Sequence, residues 1–141
     1  MLRVDLTSVF LCCRELGRLM LTQRAGKIIN ISSIYGLVGS DLIDVIAYNT
    51  AKAGVIGFTR DLAVKWARFG VCVNAIAPGY FQTPAAAAGI ERLGEKLLGY
   101  IPLGRVGGAE DIKGVAVFLA SPASDYVTGQ TIVVDGGWTS R

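Results

Sequence analysis

The sequence predicts an α/β fold, a parallel sheet covered by helices on its faces, and three observations point to it. First, three short runs are apolar and rich in β-branched residues without strict alternation: K-I-I-N-I-S (27–32), V-C-V-N-A-I-A (71–77) and T-I-V-V-D (131–135). Strands buried on both faces have this composition, because neither face meets water. Second, the segments between these runs have helical periodicity and are long enough for right-handed crossovers. Third, Pro78-Gly79 and Gly136-Gly137 stand where the second and third runs must turn.

Taken in order, residues from about 2 to 24 read as a helix ended by Gly26. Leu6, Val9, Phe10 and Cys13 recur at helical spacing, and Asp5 interrupts what would otherwise resemble the apolar core of a signal peptide. The first strand follows, then a glycine-containing loop over 34–46. A long helix over about 47–69 carries Val55, Phe58, Leu62 and Trp66 on one side and stops at Gly70. The second strand leads into P-A-A-A-A-G-I-E-R-L-G-E-K-L-L-G-Y, an excursion of one or two short helices. Glu110 and Asp111 head another helix, where carboxylates favour the N-terminal end of the helix dipole. The third strand completes the order α-β-α-β-α-β, without repeats or linkers, as one domain over residues 1–141.

At 141 residues the chain is long enough to bury a sizeable core. It is 52% hydrophobic and 18% charged, which predicts extra apolar surface hidden against a partner or another part of the same protein. No run reaches the ~18 apolar residues of a membrane span. The net charge of +3 is spread without a Lys/Arg block, so nucleic-acid binding is not expected. The expected compartment is the cytoplasm, with no membrane partner. Cys12, Cys13 and Cys72 lack metal-ligand spacing and read as small reduced core residues. The chain contains no histidine, which excludes Ser-His-Asp and Cys-His catalysis and the usual histidine-based zinc sites.

The chemistry-bearing pattern lies in A-Y-N-T-A-K (47–52). Tyr48 and Lys52, four residues apart, share one helix face with Cβ atoms ~5–6 Å apart. An isolated phenol titrates near about 10 and is a poor base at neutral pH; an adjacent ammonium, and a cationic nicotinamide ring, both favour the phenolate. Tyr48 can then exchange a proton with an alcohol or carbonyl oxygen while hydride moves to or from the cofactor. Ser33, at the carboxyl end of the first strand, lies where parallel sheets bind ligands, and its hydroxyl can hold the same oxygen. Taken alone, Tyr-x-x-x-Lys is common by chance; the ordered context of strand-Ser, loop, Tyr-x-x-x-Lys helix, strand and Pro-Gly gives it meaning.

With G-K-I-I-N-I-S-S (26–33), Y-N-T-A-K (48–52), V-N-A-I-A-P-G (73–79) and G-Q-T-I-V-V-D-G-G (129–137) in this order, the chain resembles the C-terminal half of a short-chain dehydrogenase/reductase. The resemblance implies a three-layer Rossmann-type parallel sheet, of which this chain holds three strands and flanking helices. It implies Tyr48 as general acid/base, and Lys52 as the group that lowers its pKa and hydrogen-bonds the nicotinamide ribose. Ser33 would polarise the substrate carbonyl, with Ser32 as the alternative. Cofactor contacts fall on Tyr48, Lys52, Pro78, Gly79, the backbone near Phe81, and the Thr83 hydroxyl, with NAD or NADP as cofactor. No metal is implied. Pro78-Gly79 also has an adequate explanation as a strand-ending turn.

Two departures stand out. Asp5, in V-D-L-T-S-V-F, occupies the place where the family usually has an asparagine that holds a water in a proton relay to the lysine; an acidic residue in the first turn of a helix explains it equally well. None of the eighteen glycines forms G-x-G-x-x-G or the family's T-G-x-x-x-G-x-G, so the chain is expected to be a partial domain, the catalytic half without the pyrophosphate cradle. The whole enzyme would interconvert an alcohol and a ketone, with a sugar acid, polyol or 3-oxoacyl compound as substrate and Tyr80, Phe81 and Tyr100 on a lid over 80–103. The first helix and the small-residue-rich A-K-A-G-V-I-G face resemble surfaces through which the family forms homo-oligomers, dimers or tetramers. A non-catalytic interaction module is therefore the alternative reading.

Overall fold

Three parallel strands, β1 (Gly26–Ile31), β2 (Val71–Pro78) and β3 (Thr131–Val134), pair in the order β1-β2-β3 in the computed structural model, which describes residues 1–141. Gly26 stands opposite Val71 and Ile31 opposite Ile76, while Ala75 to Pro78 run beside Thr131 to Val134. Four helices accompany them: α1 (Ser8–Gln23), α2 (Ile46–Trp66), α3 (Ala87–Tyr100) and α4 (Ala109–Ala120). Helix α2 carries the crossover from β1 to β2, and α3 and α4 both lie between β2 and β3. The α/β class and the element order are those the sequence predicts, with boundaries moved by up to three residues: the long helix predicted to about 69 is α-helical only to Trp66 and ends in a 3-10 turn, Ala67–Phe69.

Local departures have identifiable causes. The first predicted helix begins as a π-helical turn, Arg3–Thr7, and continues as α1. It ends before Gly26, because Arg24 takes the left-handed conformation (φ 55°) and its N–H caps the Met20 carbonyl. Gly26 instead opens β1, where a Cβ would come within 2.6 Å of the Met20 sulfur. Helix α3 contains a kink at Gly94 (φ 50°), a conformation that glycine accommodates without Cβ strain.

Two cores hold the chain. Cys13, Leu62, Ala63, Val71 and Val73 bury together, with Ile28, Phe58 and Trp66 packed against them, so α1 and α2 close on β1 and β2. A second cluster of Ile34, Tyr35, Leu97, Ile101 and Trp138 joins the post-β1 loop, α3 and the C-terminal turn. The asparagines within the otherwise apolar strands are tied down, as burial requires. Asn30 Nδ2 donates to Thr59 Oγ1 at 2.9 Å, and its Oδ1 accepts from the Cys13 thiol at 3.4 Å. Asn74 Nδ2 donates to the Val127 carbonyl, and its Oδ1 accepts from the Gln130 N–H.

The three cysteines do not share one environment, contrary to the expectation that all are core residues. Cys13 is buried and Cys72 half-buried, whereas Cys12 is exposed. Adjacent helical residues point about 100° apart, so one apolar stripe cannot bury both Cys12 and Cys13. No group of His, Cys, Asp or Glu is placed to hold a metal, and no helix is long and apolar enough to cross a membrane.

Candidate active site

The two serines after β1 have opposite fates because successive strand residues point to opposite sides. Ser32 Oγ donates to the Lys52 carbonyl at 2.8 Å, and its N–H continues the ladder to Ile76. That serine staples the strand end to α2. Ser33 turns the other way, and its Oγ accepts from the Tyr35 N–H at 3.2 Å. Its own proton has no acceptor among the protein groups, and the side chain lines a cavity of about 400 Å³.

Tyr48 lines the same cavity from the first turn of α2. One turn on, Lys52 Nζ lies 5.5 Å from the centroid of the Tyr48 ring, donates to the Ile31 carbonyl at 3.2 Å and pairs with Asp5 Oδ1 at 3.5 Å. Both side chains of this ion pair are largely shielded from solvent, Lys52 at 11% and Asp5 at 19% exposure. The π-helical turn thus both carries Asp5 in its first turn and brings its carboxylate to the lysine. Gly36 fixes the approach of the serine loop to α2: a Cβ there would lie 2.7 Å from the Lys52 carbonyl carbon and oxygen.

The segment after β2 supplies the facing wall. Gly79 donates to the Val134 carbonyl, and its missing side chain admits Asp135, whose Cα would be 2.9 Å from a Cβ. Tyr80 and Gln82 exchange backbone hydrogen bonds with Gly107 on either side of Phe81. The Phe81 amide and carbonyl are left outside that pairing, and Phe81 lines the cavity. Thr83 Oγ1 accepts from the Ala86 N–H at 3.2 Å, leaving its hydroxyl proton to donate.

The site therefore brings together Ser33, Tyr48, Gly79, Phe81 and Thr83 around one cavity, with Lys52 behind Tyr48 and Pro78 closing β2. Tyr80 is in the same wall, but Tyr100 is not, contrary to the lid expectation. Its hydroxyl donates to Asp41 at 2.8 Å, and its ring stacks on Trp138 at 5.3 Å. Tyr35 is the residue that sequence reasoning missed. It is buried, lines the cavity, and shares a 2.9 Å hydrogen bond with Tyr80. Only its place two residues beyond Ser33 could have marked it.

A parallel sheet, a serine at a strand end and a Tyr-x-x-x-Lys helix around one cavity define the class, an α/β domain with a site beyond the carboxyl ends of its strands. The family model described as enoyl-(acyl carrier protein) reductase matches residues 1–139, and the chain belongs to the short-chain dehydrogenase/reductase family. It is 48% identical over 142 residues to the 2-dehydro-3-deoxy-D-gluconate 5-dehydrogenase of Bacillus subtilis (strain 168), covering 99% of this chain and 55% of the relative. It is 47% identical over 136 residues to a 3-oxoacyl-[acyl-carrier-protein] reductase of Synechocystis, covering 95% of this chain and 53% of the relative. Among solved structures, a gluconate 5-dehydrogenase from Burkholderia cenocepacia in complex with NADP and tartrate superposes with a TM-score of 0.95 at 38% identity. That match covers 99% of this chain and 55% of the other. The chain spans about half the length of the curated relatives it matches.

Proposed function

We propose that this chain is the catalytic part, a single partial domain over residues 1–141, of an NAD(P)-dependent oxidoreductase that interconverts an alcohol and a ketone. The observation that carries this reading is the convergence of the Ser33 and Tyr48 hydroxyls on one cavity, with the Lys52 ammonium held beside the Tyr48 ring. Ser33 has a proton to give to a substrate oxygen. Tyr48 exchanges the second proton with that oxygen, protonating a developing alkoxide in reduction and accepting the alcohol proton in oxidation. Lys52 is fixed by the Ile31 carbonyl and Asp5, so its charge sits beside the phenol without a conformational search.

The residues fit the nicotinamide end of a dinucleotide. Phe81 has an uncommitted backbone donor and acceptor, and Thr83 an uncommitted hydroxyl proton, both on the cavity wall. Bound there, NAD or NADP would supply or take up the hydride. Lys52 would hold its ribose, and Pro78 and Gly79 would bring the wall close. The substrate is a sugar acid, a polyol or a 3-oxoacyl compound, the first and last being the classes named in the relatives. Assembly as a homo-oligomer, a dimer or tetramer, belongs to the same reading, since Leu16 and Leu19 on α1 and Val64 on α2 are all at least 62% exposed.

The test is a fluorescence titration of the chain with NADH and NADPH, beside Tyr48→Phe. Saturable binding by both proteins, with alcohol–ketone turnover lost in the variant, is expected. A folded chain that binds neither cofactor would overturn the claim that this polypeptide is itself an active dehydrogenase, the activity then belonging to a longer parent; if that chain also assembles without cofactor, the non-catalytic interaction module is favoured.

A further inference from the structure

We propose that the phenols of Tyr35 and Tyr80 form a hydroxyl-recognition element in the candidate substrate cavity, selecting ketones and alcohols that carry an additional hydroxyl near the reacting carbon. The proposal rests on the reading of that cavity as the substrate site, and it assigns the pair a role in specificity rather than in proton transfer.

Proton counting carries the argument. The Ile43 N–H donates to Ser40 Oγ at 3.2 Å, Ser40 Oγ donates to the Tyr35 hydroxyl at 3.3 Å, and the Tyr35 and Tyr80 hydroxyls lie 2.9 Å apart. Two phenols bring two protons and share one hydrogen bond, so one proton remains unspent whichever of them donates. Ser40 commits its own proton inward, so the unspent one is not passed out along the chain. It belongs to Tyr35 or Tyr80, and both line the cavity that contains Ser33 and Tyr48.

The rest of the wall makes this proton count. The cavity lining carries no charged side chain; its polar side chains are the hydroxyls of Ser33, Tyr35, Tyr48, Tyr80 and Thr83, set among Met, Ile, Val, Phe, Ala and Gly residues. A ligand oxygen that met the phenol pair would replace water at a donor held in a largely apolar wall. A ligand without that oxygen would leave the donor unpaired, and buried polar groups built to bond a hydroxyl reject analogues lacking it. The pair is also rigid. Tyr35 meets Tyr80 edge-on at 6.2 Å and Trp138 edge-on at 6.4 Å, and Tyr80 packs on Trp138 at 5.4 Å. Burial, and then the hydrogen bond to Tyr35, push the Tyr80 phenol upward, which keeps it protonated and a donor across the neutral range.

The experiment follows the full chain by NMR, with 13Cζ-labelled tyrosine, during titration with 2-hydroxycyclohexanone and with cyclohexanone, a matched pair differing in one hydroxyl. The hydroxyketone is expected to bind about 3- to 10-fold more tightly, the worth of one hydrogen bond. Tyr35→Phe and Tyr80→Phe should each keep most of this preference, because each leaves one phenol with a proton to give. The double replacement should reduce the ratio to about 1 while the backbone spectrum stays folded. A purely structural role for the pair would not produce that single-against-double pattern. Equal binding of the two ketones by the unaltered chain, no binding of either, or a preference that survives the double replacement would overturn the proposal. Discrimination that persists in a chain binding neither NADH nor NADPH would sink the claim that this chain is itself an active dehydrogenase and leave the recognition element standing.

Discussion

Replacing Gly36 with alanine tests how the serine loop is seated on α2. The backbone of Gly36 lies outside the left-handed region, so alanine brings no φ penalty, only a methyl group. That methyl would stand 2.7 Å from the Lys52 carbonyl carbon and oxygen and 2.9 Å from Ser32 Oγ. The first distance is about 0.7 Å inside the 3.4 Å at which ordinary contact begins, and the obstacle is helix backbone rather than a flexible side chain. Overpacking of this kind costs about 1–3 kcal/mol. Lifting the loop also stretches the 2.8 Å bond from Ser32 Oγ to the Lys52 carbonyl, worth about 1 kcal/mol. A total of about 2–4 kcal/mol, divided by a mid-range urea slope of about 2 kcal/mol/M, lowers the unfolding midpoint by about 1–2 M. Gly39→Ala is the matched control, since nothing lies within 4 Å of a Cβ there. Equilibrium urea unfolding of both variants, followed by circular dichroism, reads the difference. If Gly36→Ala unfolds within about 0.5 kcal/mol of Gly39→Ala, the seating of this loop is not as described.

Three further outcomes follow from the same geometry. Asp5→Leu leaves Lys52 shielded with only the Ile31 carbonyl, so it should destabilise more than the Asp5→Leu/Lys52→Met pair. A thermal-unfolding double-mutant cycle that returned no coupling would refute a direct Asp5–Lys52 interaction. Asp111 accepts from the Gly108 N–H at the start of α4 and forks with Arg105, and these bonds, the Arg105 pair first, hold its carboxyl well below the usual carboxylate range. Its folded pKa is depressed, so its contribution is present above the unfolded value near about 4 and fades as pH falls below it. The stability gap between the parent chain and Asp111→Asn, measured by urea unfolding, should therefore be full at pH 6 and shrink steadily below pH 4; a gap that is constant with pH would contradict the assignment. Under a maleimide reagent, Cys12 should label first. Cys13, buried, pushed up by that burial and bonded to Asn30, should label only at the rate of unfolding, as read by mass spectrometry of the digested protein.

Much of the fold was legible because its signals are local. Continuous apolar runs mark strands buried on both faces whatever lies beside them, and β1, β2 and β3 fall on those runs. The Tyr48–Lys52 relation was legible for a similar reason, since residues four apart on a helix share a face without tertiary help. Element ends were less legible. Arg24, not a glycine, takes the left-handed helix-ending conformation, because the next glycine is needed where Met20 crowds the start of β1.

By itself, the sequence determined the α/β class, the order of elements, the Tyr-x-x-x-Lys helix and the presence of a serine at the strand end. Tertiary structure alone decided which serine bonds to the helix and which lines the cavity. Ser32 and Ser33 are chemically identical and adjacent; only the docking of α2 on one side of β1 gives Ser32 the Lys52 carbonyl and leaves Ser33 to the cavity. It likewise decided that Asp5 meets Lys52, that Tyr100 turns to Asp41 and Trp138, and that Tyr35 meets Tyr80 across forty-five positions of chain. Periodicity reports which side of an element is buried, but not which distant side chain will be there to meet it.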